Sequence, residues 1–187
     1  MTPPIYNIDN AASEAFVSRI SEKLSEIESV MAPKSSGYEK SIAELLKCSD
    51  GNAESRARGG PNCRYYDIID DEGSLYEVKK ASGCIIFDAV RYAEIFLASR
   101  NISPPPGCDF DRDAAAKPSL TLLFVTNNRK KIKYAIVCKT IRLLDLLMMN
   151  EFDALYHLQR YRDLRQRGTW NSQVNINSKA LLEYFNI

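Results

Sequence analysis

The stretch Asp-Ile-Ile-Asp-Asp-Glu-Gly-Ser-Leu-Tyr-Glu-Val-Lys, from Asp67 to Lys79, constrains the fold more than any other part of the chain. β-Branched and aromatic residues flank Asp71-Glu72-Gly73, so the sequence predicts two strands, 65–70 and 75–78, joined by a tight turn. A three-residue hairpin loop closes most easily on a left-handed residue, and Gly73 occupies that place. The ladder then sets Asp70 against Ser74 and Asp67 against Glu77. Side chains facing each other across an antiparallel pair have Cβ atoms roughly 4.5–5.5 Å apart. Two carboxylates at that separation repel unless a cation lies between them. Alternation along the second strand puts Lys79 on the face of Glu77, and leaves Tyr66, Ile68, Tyr76 and Val78 for the core. One apolar face and one face bearing two carboxylates and an amine suit a divalent metal, a water molecule and a phosphate. The competing reading is a surface hairpin with solvated charges, because a D…ExK string arises often by chance.

The rest of the composition narrows the chemistry. The chain has 187 residues, enough for one domain, 1–187, with a real core. Its net charge of +1 gives no overall basic signal, so any affinity for nucleic acid has to be local. There is no run of about 18 apolar residues, and the start Met1-Thr2-Pro3-Pro4 is unlike a signal peptide. The five cysteines are scattered, without a C-x-x-C pair, which argues against a zinc site or a disulfide framework and for thiols in a reducing cytoplasm. The single histidine, His157, argues against a Ser-His-Asp or Cys-His mechanism.

Along the chain, Asn10 or Ser13 can cap a helix reaching about Met31. Phe16, Ile20, Leu24, Ile27 and Met31 form an apolar stripe on it. That stripe serves either the domain's own core or a subunit interface, making 11–31 a candidate dimerisation helix. A second helix is expected over about 37–47, with Tyr38, Ile42, Leu45 and Leu46 inward and Glu39 near its start. The loop 51–62 carries Arg56, Arg58 and a Gly-Gly pair, free to meet phosphates. A helix is expected from about Phe87 to Ser99. An irregular, exposed and mobile insertion is expected over 101–117, where three prolines follow one another. Residues 120–126 and 131–138 read as a central hairpin. Residues 140–167 read as mostly helical, ending in the basic cluster Arg160, Arg162, Arg165 and Arg167. The amides Asn171, Gln173 and Asn175 fall in a turn or edge strand, where such side chains can read adenine.

With these residues in view, the chain resembles the PD-(D/E)XK nuclease superfamily and, within it, type II restriction endonucleases of the PvuII group. Asp67, nine intervening residues and Glu77-Val78-Lys79 carry the resemblance, with Asp70, Gly73 and Tyr76 as matching scaffold. The proline that often precedes the first aspartate is Tyr66 here, and the histidines that contact bases and phosphate in that group are absent after Ser82. The resemblance implies an α/β fold, a restriction-endonuclease-like central mixed β-sheet flanked by helices. It implies a homodimer on double-stranded DNA, Mg²⁺-dependent cleavage that leaves on a 3′ oxygen, and a cognate DNA methyltransferase in the cell. Asp67, Glu77 and the Val78 carbonyl would bind Mg²⁺, Lys79 would complete the catalytic set, and Glu39 would be an accessory acid. Arg56, Arg58, Ser82, Asn171, Gln173 and Asn175 would contact DNA. A structure-specific repair or recombination nuclease with the same core, and a non-catalytic DNA-binding protein, are the alternatives.

Overall fold

The computed structural model describes residues 2–33, 37–53, 65–128, 130–166 and 172–187, with the backbone alone over 161–166. A six-stranded mixed sheet flanked by helices organises it. The strands are β1 (Ile5–Asn7), β2 (Ser49–Asp50), β3 (Ile68–Ile69), β4 (Leu75–Ala81), β6 (Leu120–Thr126) and β7 (Ile132–Lys139), in the spatial order β1-β7-β6-β4-β3-β2. A separate two-stranded ribbon pairs β5 (Cys84–Asp88) with β8 (Gln173–Asn177). The helices are α1 (Glu14–Met31), α2 (Glu39–Leu45), α3 (Ala89–Arg100), α4 (Arg112–Ala116), α5 (Thr140–Met149), α6 (Ala154–Gln166) and α7 (Ser178–Phe185). No helix among the described residues is long and apolar enough to cross a membrane.

The predicted hairpin forms in the predicted register. Ile68 lies opposite Tyr76 and Ile69 opposite Leu75, but β3 is only these two residues long, not 65–70, and the Asp67 N–H donates to the Tyr76 carbonyl at 2.7 Å, so the ladder does not continue to the expected pair of Asp67 with Glu77. Gly73 sits at φ +82°, in the left-handed region that makes glycine the natural residue there. Asp70 secures the turn: its Oδ1 accepts the N–H groups of Glu72 and Ser74, and its Oδ2 accepts the Tyr76 hydroxyl. β4 then runs parallel to β6, a pairing that requires a crossover, here supplied by β5, α3 and α4. β6 and β7 form the expected antiparallel central pair.

Alternation divides the core between the two faces of the sheet. Tyr76, Val78, Leu122, Phe124, Ala135 and Val137 point toward α1 and α2. Ala81, Leu123, Val125, Ile136 and Cys138 point toward the layer that includes α3, α5 and α7. α1 is capped by Ser13, whose side chain accepts the Phe16 N–H, and all five stripe residues are buried on the first face. The stripe is therefore spent inside the chain and is not available as a subunit interface. Tyr66 departs from the predicted pattern by packing against the second core, away from Ile68 and Tyr76.

Three other boundaries differ from expectation. α3 begins two residues later than predicted, because Asp88 caps it through the N–H groups of Val90 and Arg91 while Phe87 stays in β5. The 101–117 segment is anchored, not simply exposed. It contains α4, it buries Ala115, and Arg112 binds the carbonyls of Leu97 and Ile102. The amide stretch forms the strand β8, and the chain then continues into α7, capped by Asn177, a helix the sequence did not lead us to expect.

Candidate active site

The loaded face of the hairpin does not open to solvent as the sequence suggested. α3 lies across it, and Glu77 is only 1% exposed. Its carboxylate is held from three sides. Arg91 Nη1 and Lys79 Nζ each stand 2.8 Å from Oε1, and the Tyr92 hydroxyl donates to Oε2 at 3.1 Å. Burial works to push the Glu77 carboxyl up, but Arg91 and Lys79 outweigh it, and the group rests below its ordinary value. Glu77 is thus a buried, ionised carboxylate, tolerable only because cations and a hydroxyl surround it. Burial, and after it the charge of this carboxylate, drives the Tyr92 hydroxyl well above its ordinary value, so it stays a donor.

Asp67 is the opposite case. Its Oδ2 accepts the Val78 backbone N–H at 2.8 Å. Burial pushes its carboxyl up to about 6, against the downward pull of Arg91 and of the Val78 N–H, and the negative charges of Glu77 and Glu39 add to the rise. Asp67 is a carboxylate whose burial outweighs the positive charge and the hydrogen bond that reach it. Glu39, in the first turn of α2 and half-buried, is near enough for its charge to be felt there.

Lys79 is fixed by two acceptors. Besides Glu77, its Nζ donates to the Ile86 carbonyl at 3.3 Å, and it lies 5.5 Å from the centre of the Phe87 ring. An ammonium has three donors, so one N–H is left for another acceptor. The bond to Ile86 ties the site to the β5–β8 ribbon. On that ribbon Asp88 pairs with Gln173, Ile86 with Asn175 and Cys84 with Asn177, and all six are exposed on one face. Gln173 and Asn175 therefore project together from an element that is one hydrogen bond away from Lys79. Ser82 is exposed in the turn between β4 and β5. Arg56, Arg58 and Asn171 lie outside the described residues, as do the side chains of Arg162, Arg165 and Arg167. Arg160 is exposed and meets the Tyr156 hydroxyl.

Two members of the cluster, Arg91 and Tyr92, were missed by the sequence reading. One signal was available. Arg91 and Glu94 interrupt the apolar run Ala89–Leu97, and a helix buried on most sides requires partners for its charges. Glu94, also buried, accepts the Tyr65 hydroxyl at 2.7 Å.

Among the described residues, no group of three or more His, Cys, Asp or Glu side chains is disposed to hold a metal ion. Magnesium asks for less. It takes oxygen ligands, keeps several waters and is often held by one or two carboxylates. An ionised carboxylate has about four lone-pair directions. Three donors reach Glu77, which leaves one direction on Oε2, and Asp67 has the electrostatic deficit that a cation would relieve. The donor set fits a hard divalent cation held by Asp67 and Glu77. Comparison with protein-family models, curated proteins and solved structures gave no match.

Proposed function

We propose that this chain is a Mg²⁺-dependent endodeoxyribonuclease of the restriction type, with a restriction-endonuclease-like fold. The observation that carries the reading is that Asp67 Oδ2 accepts the N–H of Val78, the neighbour of Glu77, near enough for the Glu77 charge to act on it, with Lys79 2.8 Å from Glu77. Two neighbouring buried carboxylates disfavour each other's charged form, and groups perturbed in this way cluster at functional sites. Here one of them remains under-neutralised, its carboxyl raised to about 6.

In this reading Asp67 and Glu77, with the Val78 carbonyl, would hold Mg²⁺. When bound, the ion supplies Lewis acidity toward the phosphoryl oxygen and lowers the pKa of a bound water. The protein's own contribution is positional. Tyr92 and Arg91 fix the Glu77 carboxylate in one orientation, so little reorganisation is required during reaction. Lys79, clamped by Glu77 and the Ile86 carbonyl, presents its remaining N–H to the attacking water or to a phosphoryl oxygen, where it offsets developing negative charge. Glu39 contributes negative charge to the site as an accessory acid. Ser82, Gln173 and Asn175 are exposed where they can meet bases, and Arg56, Arg58 and Asn171 complete the proposed DNA-contacting set. A homodimer would bring one site to each strand of double-stranded DNA, and a cognate methyltransferase would protect the host sequence.

The test is incubation of the purified protein with unmethylated plasmid and phage DNA, with Mg²⁺ or with EDTA. Discrete fragments with Mg²⁺ alone are expected, and sequencing their ends gives the recognition site. Nicking or a smear would favour a structure-specific nuclease, and no cleavage of any DNA would overturn the enzymatic reading.

A further inference from the structure

Arg91 has features that its part in orienting Glu77 does not by itself account for. It is 9% exposed and reaches Glu77 Oε1 at 2.8 Å through Nη1. Its Nε and Nη2 are buried with no hydrogen-bond partner among the described residues. A guanidinium placed only to satisfy a buried carboxylate pairs best through two parallel N–H bonds. This one gives Glu77 a single nitrogen and shares the same oxygen with Lys79. Its charge also acts on Asp67, the other carboxylate of the hairpin. Arg91 is therefore the resident cation of the two carboxylates that would hold a divalent one.

We propose that Arg91 is a positioning residue that aims Glu77 by direct ion pairing and competes with the divalent cation for that carboxylate. The inference rests on the nuclease reading. Two consequences follow, and they have opposite signs. Removal of the guanidinium charge tightens divalent binding to the DNA-free protein, because a unit positive charge no longer stands beside the ion. The same change slows cleavage, because Glu77 loses the contact that orients it. A merely structural role for Arg91 would weaken both properties together.

The experiment is calorimetric titration of Mg²⁺ and Ca²⁺ into DNA-free wild type, Arg91→Gln and Arg91→Lys at pH 8, with cleavage measured on the same preparations. Arg91→Gln is expected to bind the ion at least about tenfold more tightly than wild type and to cleave more slowly. Arg91→Lys, which keeps the charge but not the reach, is expected to bind the ion as wild type does and also to cleave more slowly. If Arg91→Gln does not fold, Arg91→Lys decides the matter. Unchanged ion affinity with slower cleavage supports the proposal, and weaker ion binding or undiminished cleavage overturns it. With both variants folded, equal or weaker affinity in Arg91→Gln overturns it. A wild type that binds no divalent ion and cuts no DNA refutes the nuclease reading itself, a result distinct from either.

Discussion

Asp67 accepts the Val78 N–H at 2.8 Å, so a carboxylate whose charge burial disfavours also ties the residue before β3 to β4. Folding therefore brings a carboxylate into a place where its charged form is disfavoured, with its carboxyl raised from 3.8 to about 6. The folded protein binds that proton more readily than the unfolded chain does. Stability consequently falls as pH rises from about 4 to about 6, and the full cost, on the order of 2–3 kcal/mol, is present above that. Asp67→Asn keeps an acceptor for Val78 and removes the charge. In EDTA it is expected to melt higher than wild type at pH 7.5 and close to wild type at pH 4. A lower melting temperature at pH 7.5 would show that Asp67 is not strained by its charge.

Glu77 is expected to behave in the opposite way. Its carboxyl is held below the ordinary value, so its contribution is present above about pH 4.5 and is lost as pH falls through the lowered value. Glu77→Ala at neutral pH leaves Arg91 buried beside an empty space and is expected to cost about 3–5 kcal/mol. Denaturant unfolding at pH 7.5 and at pH 3 tests this, and the difference between variant and wild type should shrink at the lower pH.

The hairpin and its register were legible because local chemistry fixes them. Gly73 permits the turn, Asp70 binds the turn N–H groups, and once 70 meets 74 the pairs 69/75 and 68/76 follow by counting; the next pair, 67/77, does not, because the Asp67 N–H turns to the Tyr76 carbonyl. The α1 stripe was equally legible as a helix face, but a stripe cannot say whether it meets its own sheet or a second chain. The cage around Glu77 was not legible, because Arg91 and Tyr92 reach it from a helix more than ten residues away, across a crossover whose packing no local pattern specifies. α7 was missed because its capping residue, Asn177, ends a row of amides that reads as a loop.

Metal should stabilise the protein through the same two carboxylates. An ion that binds only the folded state at a hundred times its Kd adds about 2.7 kcal/mol. Addition of Ca²⁺ or Mg²⁺ is expected to raise the melting temperature of wild type and to leave Asp67→Asn nearly unchanged. A comparable rise in both proteins would place the ion elsewhere.

Lys79→Met removes the ammonium between Glu77 and the Ile86 carbonyl. The expected loss in cleavage rate is about 10²–10³-fold, the usual effect of deleting one transition-state donor. Single-turnover cleavage measures this, and DNA binding in Ca²⁺ should change far less than the rate.

The ribbon amides are predicted to act on choice of sequence. Gln173 and Asn175 are exposed, so Gln173→Ala and Asn175→Ala should leave melting temperatures unaltered. If either reads a base through paired hydrogen bonds, its loss costs about 1–3 kcal/mol of discrimination at one position. Sequencing the ends of fragments cut by each variant would reveal this as degeneracy at that position, whereas loss of a phosphate contact would weaken all sites alike.

The most direct test of the central claim is a parallel digestion of one unmethylated DNA by wild type and Asp67→Asn, each with Mg²⁺ and with EDTA. The account predicts discrete fragments from wild type with Mg²⁺ and intact DNA in the other three reactions. Cleavage by Asp67→Asn at the wild-type rate, or by wild type in EDTA, would contradict it.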